Sequence, residues 1–281
     1  MIMQINKGSI ERFISELVNN EYSTRTIEKY TRDIEKLASF VKGRSIDKQD
    51  VIMFKEFLCS RYKPRSVNSI LAACNHFFDY YERPDLKVKQ LKIQQEAFCP
   101  EEKVLSRQEY EKLIHTAYQT GDTKSGLIMQ TICCTGIRVS ELAYITVQAV
   151  RKGKAEIRLK GKNRTILIPD KLQKLLLIYI EKCKITQGAV FVTKRGNPLN
   201  RTNIWREMKR IAKTAKVSLE KVFPHNLRHL FAREFYKIKK DIVQLADVLG
   251  HSNINTTRIY MLSSGKEHRR MLQSMNLLIE T

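Results

Sequence analysis

Between Glu82 and Val104 the chain loses the periodicity that governs everything before it. Upstream, apolar side chains recur every three or four positions. Ile10, Phe13, Ile14 and Leu17 form one stripe, and Ile27, Tyr30, Ile34, Leu37 and Val41 a second. Val51, Phe54 and Leu58 form a third, and Val67, Ile70, Leu71, Cys74 and Phe78 a fourth. That spacing predicts four short amphipathic helices. Ser23 or Thr24, Asp47, and Pro64 with Ser66 supply start signals for the last three. Pro84, the polar run Lys87 to Gln95, and Pro100 then read as a linker. The break divides the 281 residues into a helical domain at 1–92, a linker at 93–104 and a second domain at 105–281. Domains of this size bury a core without covalent staples.

The second domain mixes patterns. Ser106-Arg107-Gln108-Glu109 has capping-box spacing and opens a helix. Ser125 to Thr135 is a strongly apolar helix that Gly136 ends. Arg138 follows at once, then Val139-Ser140-Glu141-Leu142 reads as the first turn of another helix. An arginine beside a helix N-terminus suits an anion, although an Arg138–Glu141 pair with only structural work is the plainer reading. Ala155 to Leu159 and Arg164 to Ile168 alternate as strands around the turn Lys160-Gly161-Lys162-Asn163. Further helices are expected at Lys171 to Lys182 and after Asn200, the latter with Trp205, Met208, Ile211 and Ala212 inward. Others are expected at His225 to Tyr236, at Asp241 to Leu249 before Gly250, in a segment opened by Thr256 or Thr257, and at Lys266 to Leu278. The fold class is mainly α with one small β-sheet, the second domain being α+β.

Charge singles out the second domain. The chain carries 51 Lys and Arg against 29 Asp and Glu, a net of +22. Residues 1–102 hold 17 basic and 15 acidic side chains, and residues 103–281 hold 34 and 14. Such an excess points to a polyanion, most often nucleic acid. Candidate phosphate contacts off the apolar stripes are Arg25, Lys29, Arg32, Lys63 and Arg65 in the first domain, and Arg201, Arg206, Lys209 and Arg210 in the second. A solvated basic face looks the same in sequence. The six cysteines make no CxxC pair and have no zinc-ligand spacing. A reducing, cytoplasmic setting fits, with no membrane span and no signal peptide in view.

Four of the six histidines fall between residues 225 and 268. His225 and Arg228, three apart, share a helix face, whereas His229 is expected to point elsewhere. His76 reads as a partly buried helix residue. Arg138 and Arg228 flank apolar helices, where a solvated cation would be out of place. Two guanidiniums grip the non-bridging oxygens of a phosphate bidentately and gain strength as charge grows there. A tyrosine hydroxyl, with a pKa near ~10, needs neighbouring cations and a histidine acceptor to attack at neutral pH. No carboxylate cluster for magnesium and no phosphate-cradling glycine loop appears, so no metal and no cofactor are expected.

With those residues in view, the chain resembles the tyrosine recombinases, the phage-integrase family, over nearly its whole length. Thr135-Gly136-Ile137-Arg138-Val139-Ser140-Glu141-Leu142 is similar to the family's first box. His225-Asn226-Leu227-Arg228-His229 is similar to the second. Leu249-Gly250-His251 with Thr256-Thr257 and Tyr260 is similar to the third. The resemblance implies an N-terminal SAM-like four-helix core-binding domain that clamps DNA, followed by a catalytic domain. It implies catalytic Arg138, His225, Arg228, His251 and the nucleophile Tyr260, with Glu141 supporting Arg138. The hairpin implies a catalytic Lys160, with Lys162 the alternative, although Leu159 stands where the family has a glycine. The implied partner is double-stranded DNA, held by a tetramer on two sites, in a nucleoid-associated cytoplasmic enzyme of a prokaryote. The implied reaction runs through a 3′-phosphotyrosyl link and a Holliday junction, without metal or ATP. It would integrate or excise a mobile element or resolve chromosome dimers, with the terminal helix docking on a neighbouring protomer.

Two other readings compete. Ile242 to Ile259 has the outline of a helix-turn-helix, which would make the chain a non-catalytic DNA-binding regulator. A type IB topoisomerase would share the chemistry without exchanging partners.

Overall fold

The computed structural model describes residues 3–94, 101–159, 162–193, 195–261 and 265–275. The chain divides into two compact units, residues 1–95 and 96–281.

In the first unit, β1 (Met3–Gln4) precedes α1 (Lys7–Asn19) and α2 (Thr24–Val41), and β2 (Ser45–Ile46) precedes α3 (Lys48–Arg61) and α4 (Pro64–Tyr80). The helices start where their caps require. Ser23 accepts from the Thr26 amide, and Asp47 with Asp50 closes a capping box. Phe13, Leu17, Ile34, Leu37, Val41, Val51, Phe54, Leu58, Val67, Leu71, Phe77 and Phe78 are fully buried in one core. Each such side chain stabilises by roughly 1.5–3 kcal/mol relative to exposure. The antiparallel pair Met3↔Ile46 was not expected from sequence. His76 packs its ring against Phe13, Tyr22 and Tyr30, as a helix residue does.

The start of the polar run read as linker belongs to this unit. Asn75 both donates to the Val88 carbonyl and accepts from its amide, and Asn68 does the same for Leu91. These amide side chains supply the partners an unpaired extended strand lacks.

In the second unit, α5 (Arg107–Gln119) and α6 (Thr123–Thr135) precede a 3₁₀ turn at Val139–Tyr144 and α7 (Val147–Arg151). Then come β3 (Lys154–Leu159), β4 (Lys162–Leu167), α8 (Asp170–Lys182) and α9 (Arg201–Thr214). The chain continues with α10 (Pro224–Lys239), α11 (Ile242–Leu249), α12 (Ile254–Arg258) and α13 (Gly265–Ser274). Ser106 and Glu109 form the expected capping box. Central α6 packs against α5, α8, α9 and α10, with Leu127, Met129 and Ile132 in the core.

β3 and β4 form the expected antiparallel hairpin, but the register pairs Leu159 with Lys162 and Arg158 with Asn163. Lys162 and Asn163 are therefore strand residues rather than turn residues. Trp205, expected inward, is 47% exposed. Ile204, Met208 and Ile211 already fill the core face of α9, and the indole lies one step round the helix under the Lys209 ammonium, 5.0 Å from the ring centre. Asn253, rather than Thr256 or Thr257, caps α12.

Candidate active site

The site is built on two helix ends. Gly136 ends α6 at φ 65°, and an added Cβ would lie 2.5 Å from the Phe231 ring. Only glycine accepts both that conformation and that approach. The reversal places Arg138 two residues beyond Gly136. Its backbone amide donates to Glu141 Oε2 at 2.7 Å and its Nη1 to Glu141 Oε1 at 3.0 Å. Glu141 is 2% exposed, so this carboxylate is held by partners and not by water.

Pro224 opens α10, with His225 in its first turn and Arg228 one turn on. Arg228 points inward and is 1% exposed. It donates to the carbonyl of Gly136, to that of Leu249 at 2.7 Å, and to Nε2 of His251 at 2.9 Å. The two carbonyls are the C-terminal ends of α6 and α11, where the helix dipoles are negative. Burial, followed by the charge of Arg138, pushes Arg228 down to about 10, opposed by Tyr260.

The end of α11 is gripped by three arginines in turn. Arg164 donates to the Val248 carbonyl at 3.1 Å, Arg228 to that of Leu249, and Arg138 to that of Gly250 at 3.3 Å. These anchors hold the next residue, His251. Since its Nε2 accepts from Arg228, its Nδ1 carries the proton and donates to Thr257 Oγ1 at 2.8 Å. Burial and then Arg228 and Arg138 push His251 down to about 4.

Tyr260 follows α12 and is 3% exposed. Its ring stacks on His251 at 5.6 Å between centres and 15°, and meets His229 edge-on at 4.2 Å and His225 at 5.8 Å. It shares a buried cluster with Ala232, Leu245 and Leu249. Desolvation, then Arg228 and Arg138, lowers the pKa of His225.

Arg138, Glu141, His225, Arg228, His251 and Tyr260 thus converge from segments far apart in sequence. Lys160 lies outside the described residues, and Lys162 begins β4. His229 was expected to point elsewhere and does not. It sits one turn after His225 and their rings are 4.8 Å apart; the i,i+4 spacing was the missed signal. Arg164 and Thr257 were also missed. Arg164 shares a strand face with the buried Ile166 and Ile168, and a cation at an inward register was the clue.

The candidate phosphate contacts divide. Arg25, Arg32, Lys63, Arg65, Arg201 and Arg206 are exposed. Lys29 is bonded to Asp33 at 2.7 Å and to the Ser69 carbonyl at 3.0 Å. Lys209 is bonded to the Leu219 carbonyl, and Arg210 to Asp122 and Glu207. The helix-turn-helix outline does not hold: α12 has five residues, and Thr257 and Tyr260 beside it face inward.

A two-unit, mainly helical chain with a basic second unit and a tyrosine set among arginines and histidines has the build of a DNA strand transferase. Residues 103–267 match the phage integrase family and residues 10–88 the phage integrase N-terminal SAM-like domain. Tyrosine recombinase XerA of Pyrococcus horikoshii is 30% identical over 284 residues, covering 98% of this chain and 95% of that protein. Tyrosine recombinase XerD of Listeria monocytogenes is 28% identical, covering 89% and 92%. Among solved structures, the XerH site-specific recombinase bound to difH substrate superposes with a TM-score of 0.69 at 18% identity, over 98% of this chain and 85% of that one. A lambda integrase tetramer bound to a Holliday junction gives 0.73 at 18%, over 92% and 77%. The chain belongs to the phage integrase family, the tyrosine recombinases. Among the described residues no helix is long and apolar enough to cross a membrane.

Proposed function

We propose that the chain is a site-specific recombinase that breaks and rejoins double-stranded DNA with Tyr260 as nucleophile. The observation that carries this is the packing of Tyr260 against His225 and His251, with His251 bonded to Arg228. Arg138 and Arg228 bind the non-bridging oxygens of one phosphodiester and oppose the charge that builds on them. His225, uncharged at neutral pH because its pKa is lowered, takes the phenolic proton. The tyrosine oxygen bonds to phosphorus, the bond to the 5′ oxygen breaks, and that oxygen leaves as a hydroxyl with a proton from Lys160 or Lys162. A 5′-hydroxyl from a second duplex then attacks the phosphotyrosyl link and releases Tyr260. Bond energy is conserved, so rejoining needs no ATP.

The exposed basic residues Arg25, Arg32, Lys63, Arg65, Arg201 and Arg206 suit contacts to the backbone phosphates. Strand exchange between two duplexes requires four active sites, and relatives with solved structures include a tetramer on a Holliday junction. Leu272 of α13 and Met275 just after it are 56% and 54% exposed, an apolar surface that a neighbouring protomer would cover. Strand exchange of this kind would serve chromosome-dimer resolution or the integration or excision of a mobile element.

The test is covalent trapping on nicked duplexes drawn from the DNA flanking the gene. Wild-type protein should leave a protease-resistant tyrosyl adduct at the 3′ phosphate. Tyr260→Phe should bind the same duplex and leave none. An adduct in the Phe variant would end the assignment.

A further inference from the structure

We propose that Arg164 is a positioning residue for strand cleavage, holding Arg138 and the turn that carries His251 in one fixed arrangement. The proposal rests on the reading of Arg138, His251 and Tyr260 given above.

Arg164 occupies an inward register of β4, paired across the hairpin with Ile157. Its neighbours on that face, Ile166 and Ile168, are 3% and 4% exposed. An apolar residue would fill this position for packing alone. Instead a guanidinium lies there with its side chain 13% exposed, and its Nε is buried without a hydrogen-bond partner. An unmade bond of that kind costs about 1–3 kcal/mol, so the cation is retained against a stability cost.

Its two bonds tie β4 to both the Glu141 turn and the end of α11, which are otherwise joined through Arg138 and Arg228. One runs to Glu141, the buried carboxylate that holds both the amide and the guanidinium of Arg138. The other runs to the Val248 carbonyl, three residues before His251. The stem presses on the turn itself: a Cβ on Gly250, at φ 63°, would lie 2.6 Å from Arg164 Cδ. The positive φ and the arginine together call for glycine there. Without Arg164, Glu141 Oε2 keeps only the Arg138 amide, and one of two cations facing a buried carboxylate is lost. Arg138 is then free to swing toward its own carboxylate and away from a phosphate. Arg164 stands two residues after Lys162 on β4, so the same side chain tethers the strand that Lys162 begins to the arginine cluster.

The experiment measures single-turnover cleavage on the nicked duplex, with affinity measured separately in the Tyr260→Phe background. Arg164→Met should slow cleavage at saturating DNA by about tenfold to a hundredfold, the scale of a small misplacement of a reacting group, while affinity changes less than about threefold. Arg164→Lys keeps a cation for Glu141 but cannot reach Val248 as well, and should recover part of the rate. With Glu141→Gln already in place, Arg164→Met should add little, since both act through one carboxylate. Cleavage by Arg164→Met within about twofold of wild type overturns the proposal; so do losses that multiply in the double variant, or rate and affinity falling together. If Arg164→Met does not fold, Arg164→Lys decides, and a wild-type rate there overturns it. Absence of any adduct with the wild-type protein would remove the reading of Tyr260 instead, whereas normal wild-type cleavage with an indifferent Arg164 removes this inference alone.

Discussion

Nη2 of Arg228 donates to Nε2 of His251 at 2.9 Å, and that bond decides which imidazole nitrogen carries the proton. The other nitrogen must donate, and Thr257 receives it at 2.8 Å. The imidazole plane is thereby fixed parallel to the Tyr260 ring, 15° between planes. A buried guanidinium with three separate acceptors does two jobs at once. It completes two helix ends and orients a histidine.

Arg228→Lys is expected to separate those jobs from simple charge. An ammonium reaches one or two of the three acceptors, Gly136 O, Leu249 O and His251 Nε2, and cannot pair two oxygens of a phosphate in a plane. Affinity for duplex should stay within about threefold, since phosphate contacts elsewhere dominate it. Cleavage should fall by at least about a hundredfold, the scale of losing an oriented charge donor. Gel retardation and adduct trapping on one duplex measure both.

Gly136→Ala is expected to destabilise the second unit. The Cβ would meet the Phe231 ring at 2.5 Å while the backbone sits at φ 65°. Overpacking and the left-handed conformation together should cost about 2–4 kcal/mol. Thermal unfolding followed by circular dichroism reads this directly, and an unchanged melting temperature would contradict the packing described.

Much of this architecture is legible in sequence because local signals and burial agree. Apolar stripes gave the helices of the first unit, and Ser106 with Glu109, Asn200 and Gly136 marked helix ends whose hydrogen bonds are local. Tyr260, Arg138, His225, Arg228 and His251 were legible through motif order. What was missed depends on the third dimension. The Met3↔Ile46 pair involves strands of two residues, too short for any period to register. Trp205 is apolar by type, yet the core face of α9 was already full. Arg164 reads as an ordinary strand cation until its face is compared with Ile166 and Ile168. Thr257 looks like a helix cap, but its hydroxyl serves His251.

Acid should weaken the fold through two imidazoles. Burial, then His225 and Arg233, pushes His229 down to about 3, and burial, then Arg228, pushes His251 down to about 4. In the unfolded chain both titrate near ~6.5. Below that value the unfolded chain binds protons that the folded chain refuses. The stabilisation is complete above ~6.5 and is lost as the pH falls toward ~4 and beyond. The melting temperature of wild type should drop across this window, and His229→Asn, which cannot titrate, should show a shallower drop relative to its own value at pH 7.5.

Salt should separate the basic residues that are free from those already engaged. Arg201 and Arg206 are exposed at the start of α9, whereas Arg210 is paired with Asp122 and Glu207, and Lys29 with Asp33. A free cation that meets a phosphate releases a counterion; one that must first leave a carboxylate gives back much of that gain. For the wild-type protein, log affinity should fall linearly with log salt, by about a thousandfold between 50 and 200 mM if some six phosphates are contacted. Arg201→Ala and Arg206→Ala should each reduce the magnitude of the slope by about one. Arg210→Ala and Lys29→Ala should leave it nearly unchanged. Fluorescence anisotropy across a salt series distinguishes these, and a flat titration for the wild-type protein would show that the +22 net charge is not what holds the duplex.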